Sequence, residues 1–195
     1  DLKADGDKQR FRDLVASADV LLEGFRPGTM QRLGLGYEAM ASINPRLVYA
    51  SISGFGQTGP YRDRPAHDLS YQALAGFLHA QAATRSTQLP SDIAVGDLSS
   101  GMFAAFGVLA ALLARARTGK GAYIDVSMTD GLVSWMSVMV GPAMNGEPLA
   151  FGRPPCDPRS APMGDPQAAF AVDDHTIGQT FLCREACEHP AIARQ

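Results

Sequence analysis

The chain has 195 residues, 46% of them hydrophobic and 19% charged, with a formal net charge of −3. This is the composition of a globular protein, and it excludes a disordered or collagen-like chain. The length suits one domain of moderate size, or one domain plus part of a second. The slightly acidic balance lacks the basic footprint of proteins that bind nucleic acid or an anionic membrane, so we expect neither as a partner.

The apolar run near the middle and the cysteine count bear on the cellular setting. Residues 98–114 carry no charge and are rich in Ala and Gly. This run is shorter than the ~20 strongly apolar residues that a membrane span usually needs, so we expect a buried core helix. The three cysteines are an odd number, which argues against a disulfide scaffold and favours a reducing, cytoplasmic setting.

Apolar spacing and turn residues predict helices and strands that alternate along the chain. The predicted helices cover residues 7–17, 27–33, 37–43, 68–78, 97–116 and 129–144. The predicted strands cover residues 19–23, 46–53 and 122–127, and the stretches 54–66 and 80–91 are predicted to be irregular. Strands that alternate with helices indicate an α/β fold with a mainly parallel sheet.

The composition changes after Pro148, because residues 148–166 hold six of the 13 prolines. Such a stretch is typical of a linker rather than of a core element. We therefore predict an α/β domain over residues 1–147 and a Pro-rich linker over 148–167. Residues 168–195 would begin a small domain or form a disordered tail. The first residue is Asp1 rather than Met, and we expect the chain to be a fragment of a longer protein.

A glycine motif follows the second predicted strand. Residues 54–59, the glycine loop, read Gly-Phe-Gly-Gln-Thr-Gly and match the dinucleotide-binding pattern G-x-G-x-x-G. In that pattern the third glycine leads into a helix, whereas Pro60 and the Arg-rich residues 61–65 follow here. We therefore expect no NAD. The glycines still allow a ligand to approach the backbone closely, and Arg62 and Arg64 are candidates to meet phosphates, unless the loop is simply a solvated surface turn.

Asp97 lies where a loop becomes the longest predicted helix. An Asp at that place is a good N-cap, and capping alone would explain it. The functional interpretation uses the same geometry, because a helix N-terminus gathers unpaired N–H donors and partial positive charge that stabilise an oxyanion or enolate. Ser99, Ser100 and Gly101 keep the first turn small, so a substrate can come close.

His67 ends the Arg-rich loop and precedes another predicted helix. Histidine titrates near neutrality and is the usual proton-transfer group, although a lone His at a loop end is more often a surface residue. The second candidate at such a junction, Asp97, favours function, since ligands of α/β sheets bind where strands end.

Metal binding is the remaining motif-based alternative. Cys183 and Cys187 lie four residues apart, with His189 and His175 nearby. This spacing differs from the usual zinc finger or ribbon, and two thiols on one helix face are more simply explained by packing. We expect no metal.

Several segments in order resemble one protein family, the class III CoA-transferases of the CaiB/BaiF type, which also contain the α-methylacyl-CoA racemases. The segments that carry the resemblance are Ala18–Gly28, Asn44–Tyr61, His67-Asp68, Gln72–Gly76, Gly96–Leu98, Thr118–Gly121 and Asp125–Met128. The resemblance implies a Rossmann-like sheet layer with helices on both faces, here part of the large domain. It also implies two subunits interlocked as a homodimer, and further sections of chain before Asp1 and after Gln195.

The resemblance implies that coenzyme A is bound as the substrate thioester, with no NAD. By motif position, the CoA contacts fall on Arg26, Ser53, Gly54, Phe55, Gly56 and Gln57. The substrates would be an acyl-CoA and a carboxylic acid.

The resemblance also implies catalytic roles for Asp97 and His67. In the transferases the aspartate that matches Asp97 is the nucleophile: it attacks the thioester carbonyl, giving an acyl-aspartyl anhydride and CoA thiolate. The thiolate then forms an enzyme–CoA thioester, which passes CoA to the acceptor acid. In the racemases the matching Asp and a His on the position of His67 exchange the proton α to the thioester. CoA transfer is our leading prediction, with racemisation second and an inactive fragment or interaction module third.

Overall fold

The computed structural model describes residues 1–82 and 93–146. Its strands are β1 (Val20–Glu23), β2 (Val48–Ser53) and β3 (Ala122–Ser127). Its helices are α1 (Asp5–Ser17), α2 (Thr29–Arg32), α3 (Tyr37–Ile43), α4 (Asp68–Leu74), α5 (Phe77–Ala82), α6 (Val95–Thr118), α7 (Met128–Trp135) and α8 (Ser137–Met144). The predicted linker and tail, residues 148–195, lie outside the described residues.

The three strands form a parallel sheet in the order β1-β2-β3. Val48 at the start of β2 pairs with Val20 on one side and with Ala122 on the other. Each parallel connection needs a crossover, and α2 and α3 supply the first while α4, α5 and α6 supply the second. The predicted α/β fold with a parallel sheet is confirmed, and the carboxyl ends of all three strands meet at one edge.

One face of the sheet carries α1, α2 and α3 over the main hydrophobic cluster. The buried members of the cluster are Val15, Leu21, Met30, Leu35, Met40, Leu47 and Tyr49. The Tyr49 hydroxyl donates to the Leu35 carbonyl at 3.3 Å, and burial raises its pKa. Tyr37 of α3 and Tyr123 of β3 pack around the Tyr49 ring. All of these buried residues except Leu35 lie in helices or strands that the sequence predicts.

The opposite face of the sheet carries α6. A Cβ on Gly107 of this helix would lie 3.1 Å from the Ile124 side chain, so the glycine lets helix and strand approach closely. Neighbouring residues of a strand point to opposite faces, and Tyr123 lies on the face of α3. Helices therefore cover both faces of the sheet, as expected.

The expectation that residues 98–114 form a buried core helix is wrong for the far side of α6. The helix buries small residues, Ser99, Ser100 and Ala104 among them. Its outer side chains follow a spacing of three and four residues and are between 53% and 64% exposed: Leu98, Met102, Phe106, Leu109 and Leu113. The helix is long and apolar enough to cross a membrane by length and composition alone. Its inner face packs on the sheet, and the outer stripe is exposed within the described residues.

The predicted helix over residues 68–78 is divided in the structure. α4 ends at Leu74 and α5 begins at Phe77. Between them Gly76 adopts φ +84, a left-handed conformation that terminates a helix and that glycine reaches without strain. α5 extends to Ala82, so residues 80–82 are helical and not irregular as predicted, and the rest of that predicted stretch lies outside the described residues.

Candidate active site

A cleft of about 610 Å³ lies at the carboxyl ends of the strands. Two of its walls are formed by the segment after β1, Gly24–Pro27, and by the end of β2 with the two residues after it, Ser53–Phe55. Met128, the first residue after β3, and residues 62–67 before α4 complete it. Ligands of open parallel sheets bind at this edge, so the position of the cleft follows from the topology.

The cleft is strongly cationic. Four arginines line it, Arg26, Arg32, Arg62 and Arg64, against one aspartate. A Cβ on Gly28 would lie 3.1 Å from a guanidinium nitrogen of Arg32 and 3.2 Å from one of Arg62, so the two guanidinium groups converge on one point. Because like charges held together repel, this arrangement favours an anion between them.

Part of the predicted CoA-binding set lines this cleft. Arg26, Ser53, Gly54 and Phe55 all contribute to its wall. Ser53 is only 7% exposed, and its hydroxyl has no hydrogen-bond partner among the described residues. A buried hydroxyl without a partner carries a desolvation cost, which a ligand in the cleft would relieve.

The other two predicted CoA contacts, Gly56 and Gln57, are not among the described residues that line the cleft. Gly56 adopts φ +79, and the chain turns there toward the end of β3. The Gln57 backbone N–H donates to Asp125 Oδ2 at 2.9 Å. Within the glycine loop, only the first two residues, Gly54 and Phe55, line the cleft.

Contacts with an aromatic ring fix the first two residues of the glycine loop. A Cβ on Gly54 would fall 2.3 Å from the Tyr71 ring, which is a severe clash, so only glycine fits. The Tyr71 ring meets Phe55 edge-on at a centroid distance of 5.3 Å, and its hydroxyl donates to the Ala66 carbonyl at 2.8 Å. Tyr71 thereby joins the loop after β2 to the segment that leads into α4.

His67 lies at the N-terminal boundary of α4 and lines the cleft. Its side chain makes no capping hydrogen bond to the helix, and the residue is exposed. The imidazole is therefore not held by a structural role at the helix end, and it remains accessible to a ligand.

Asp97 is not the N-cap that the sequence suggests. α6 begins at Val95, and Asp97 lies in its first turn. Its backbone N–H donates to Asp68 Oδ1 at 3.1 Å, so the carboxylate of Asp68 takes the capping role from α4. This leaves the carboxyl group of Asp97 exposed at the positive end of a 24-residue helix.

The pKa of Asp97 depends on the charged groups around it. Partial desolvation by the surrounding protein raises the pKa of the Asp97 carboxyl, the nearby Asp68 raises it further, and His67 lowers it. The pKa of Tyr71 is raised by burial and then by Asp97 and Asp68, whereas Arg26 lowers it. Asp97 itself is not among the described residues that line the cleft, but its backbone is hydrogen-bonded to Asp68, and the residue before Asp68, His67, lines it. Asp97 thus lies beside the cleft.

The sequence alone does not identify the residues that hold Asp97 in position. Asp68 and the fully buried Gln72 are hydrogen-bonded, with Gln72 Nε2 donating to Asp68 Oδ2. Gly96 admits this carboxylate, since a Cβ there would lie 2.8 Å from Asp68 Oδ1. The His67-Asp68 pair and the Gly96-Asp97 pair are both visible in the sequence, but their contact across 29 positions is not.

Metal and dinucleotide binding have no support in the described residues. No group of three or more His, Cys, Asp or Glu side chains within residues 1–82 and 93–146 is placed to hold a metal ion. The cysteine and histidine cluster at residues 175–189 lies outside the described residues. The glycine loop is followed by turns and bends before α4 begins at Asp68, and so lacks the helix that the dinucleotide motif requires.

A comparison with protein families decides the family. A sequence model of CoA-transferase family III matches residues 1–177. The chain belongs to CoA-transferase family III. The resemblance found in the motifs is thereby confirmed, and the fold agrees with it. A CAIB/BAIF family protein from Brucella suis superposes with a TM-score of 0.72 at 33% sequence identity, covering 83% of this chain and 43% of that one.

Curated relatives within the family are named as CoA-transferases. An acetyl-CoA:oxalate CoA-transferase from Acetobacter aceti is 46% identical over 156 residues, which are 77% of this chain and 40% of the relative. A succinyl-CoA:mesaconate CoA-transferase from Haloarcula hispanica is 36% identical over 206 residues, which are 99% of this chain and 50% of the relative. The chain spans about half the length of these relatives or somewhat less.

Proposed function

We propose that the protein transfers CoA between an acyl-CoA thioester and a carboxylic acid, with Asp97 as the nucleophile. One observation carries the proposal: an exposed carboxyl with a raised pKa lies at the N-terminus of α6, beside a cationic cleft at the ends of the strands. The names of the relatives support this reaction.

The cleft suits the phosphates of CoA. Arg32 and Arg62 converge over Gly28, and arginine binds phosphate through two parallel hydrogen bonds. The buried hydroxyl of Ser53, which has no hydrogen-bond partner among the described residues, offers a polar contact on the wall of the same cleft, next to Gly54. We place the phosphates at the arginines and the pantetheine arm along Ser53 and Gly54, so that the thioester comes close to Asp97.

The environment of Asp97 suits nucleophilic attack. A carboxylate with a raised pKa is more basic, and therefore more nucleophilic once it has lost its proton. Attack on the thioester carbonyl forms an acyl–aspartyl bond, breaks the carbon–sulfur bond and releases CoA thiolate. The thiolate then attacks the Asp97 carbonyl and releases the acyl group as a carboxylate, which leaves CoA on the enzyme as a thioester. The acceptor carboxylate takes up the CoA by the reverse sequence of steps.

A second candidate function is racemisation of an α-methylacyl-CoA by His67 and Asp97. The observation that favours it is the electrostatic interaction between these two groups, which lowers the pKa of Asp97, together with the position of His67 in the cleft wall. One group would remove the α-proton and the other would return it from the opposite side.

The test measures both reactions with purified protein. CoA transfer is followed from acetyl-CoA and succinyl-CoA to oxalate, mesaconate and other small acids, and α-proton exchange is followed in D₂O without an acceptor acid. We expect acceptor-dependent transfer that Asp97→Asn abolishes. Deuterium incorporation without transfer would instead establish the racemase. Binding of CoA without either reaction would favour the interaction module.

A further inference from the structure

Asp125 of β3 holds the glycine loop from outside the cleft. Its Oδ2 accepts the backbone N–H of Gln57 at 2.9 Å, across 68 positions of the sequence. A Cβ on Gly56 would lie 3.5 Å from the same oxygen and 3.6 Å from Ser127, so the loop runs directly over the end of β3. A hydrogen bond from an amide to an ionised carboxylate is among the stronger ones in proteins.

Thr129 anchors the other end of the same segment. Its hydroxyl donates to the Gly54 carbonyl at 2.8 Å, and its backbone N–H donates to the same oxygen at 3.1 Å. The stretch from Gly54 to Gln57 is therefore fastened at both ends to β3 and the start of α7. Between these anchors the chain passes through Gly56 at φ +79, and glycine, which adopts many backbone conformations, loses much conformational freedom when the anchors hold it in one.

We infer that Asp125 and Thr129 are positioning residues for CoA, because they fix the glycine loop in the conformation that presents Gly54 and Phe55 to the cleft. This inference rests on the proposed function. Neither residue is among those that line the cleft, so each acts through the loop. A loop that is already ordered loses less conformational freedom when a ligand binds, and its affinity is correspondingly higher.

The inference predicts that the two anchors affect the binding of CoA and not the chemical step. Asp97 is held by Asp68 from α4, through contacts in which Asp125 and Thr129 take no part. Loosening the glycine loop should therefore raise the Kd for CoA and the KM for acyl-CoA, and leave kcat almost unchanged. This is the pattern expected when binding common to the ground state and the transition state is removed.

The variants come in matched pairs. Asp125→Ala removes the acceptor, whereas Asp125→Asn keeps an oxygen at the same place. Thr129→Val removes the hydroxyl at nearly constant volume, whereas Thr129→Ser keeps it. Asp13→Asn, on the exposed surface of α1, controls for the loss of a negative charge.

The Kd for CoA is measured by calorimetry, with Tm as a check on folding and hydrogen exchange of the Gln57 amide as a direct report on the loop. We expect Asp125→Ala and Thr129→Val to weaken CoA binding roughly tenfold, the lower range for a lost hydrogen bond to a charged or buried group. The Asn and Ser variants should recover most of the affinity. Exchange at Gln57 should accelerate in Asp125→Ala and remain slow in Asp13→Asn.

The outcomes distinguish the two proposals. A Kd in Asp125→Ala equal to that of the wild type, or a loss that Asn does not recover, would overturn the positioning role and leave CoA transfer intact. If the wild type binds CoA normally but transfers none, that result would count against the proposed reaction. The ratio of the Kd of Asp125→Ala to that of the wild type would still decide whether the anchors position the loop.

Discussion

Asp68 caps the helix that carries Asp97: its Oδ1 accepts the Asp97 backbone N–H at 3.1 Å. The second oxygen of Asp68 accepts from the buried Gln72 of the same helix. The contact ties α4 to α6 and brings two carboxyl groups close together. It also accounts for part of the raised pKa of Asp97, since a nearby negative charge disfavours ionisation.

Removing the charge of Asp68 should shift the acid limb of the pH–rate profile to lower pH. Asp97 must be ionised to act as a nucleophile, so the rate falls as the pH falls through its pKa. Asp68→Asn removes a group that raises this pKa and still offers an oxygen to the Asp97 N–H. The profile of kcat against pH measures the shift, and a limb that stays in place would show that Asp68 does not act on Asp97.

Replacing His67 should shift the acid limb of the pH–rate profile in the opposite direction. His67 lowers the pKa of Asp97, so His67→Gln should shift the same acid limb to higher pH. If CoA transfer is the reaction, kcat at alkaline pH should change only modestly. Loss of CoA transfer at every pH would contradict this expectation and would show that His67 takes a direct part in the reaction.

Two glycines of α6 provide a matched pair for the contact between Asp68 and the helix. Alanine stabilises a helix interior by about 0.5–1 kcal/mol relative to glycine. Gly101→Ala should show this gain, because nothing lies within 4 Å of its Cβ position. Gly96→Ala should instead destabilise the protein by roughly 1–3 kcal/mol, since its Cβ would lie 2.8 Å from Asp68 Oδ1 and 3.3 Å from Leu132. Urea unfolding measures both, and equal gains would contradict the close contact.

The convergence of Arg32 and Arg62 predicts how CoA binding depends on charge. Arg32→Gln and Arg62→Gln should each weaken CoA binding by about tenfold, the range of a lost charge-assisted hydrogen bond. The affinity of the wild type should also fall with added salt more steeply than that of either variant. Arg10→Gln, an exposed residue of α1, serves as the control. Equal salt dependence in all four proteins would show that these two arginines do not meet the phosphates.

The fold is largely predictable from local sequence because its strands are short apolar runs between clear turn residues. β3 has the predicted bounds and β2 lies within its predicted range, and Tyr37–Ile43 forms the predicted helix. The outer face of α6 was not predictable in the same way. An apolar stripe indicates burial but does not identify what covers it, and within the described residues it is exposed.

The sequence identifies individual residues of the site but not the contacts between them. Asp97 and His67 stand out by chemical type, and the structure places both at helix starts near one cleft. The hydrogen bond from Asp97 to Asp68 and that from Gln57 to Asp125 join residues 29 and 68 positions apart. Such contacts depend on how the strands pair, which periodicity within a segment does not encode. The sequence therefore places Asp125 in a family segment and predicts no contact or role for it.

Trapping the covalent intermediate with hydroxylamine tests the role of Asp97 most directly. The protein is incubated with an acyl-CoA and then with hydroxylamine, and its peptides are analysed by mass spectrometry. Hydroxylamine attacks an activated aspartyl carbonyl and leaves a hydroxamate on that residue. We predict a hydroxamate on Asp97 that forms only when acyl-CoA is present and that is absent from Asp97→Asn. CoA transfer that proceeds with no modification of Asp97, or with the hydroxamate on another carboxyl group, would contradict the account.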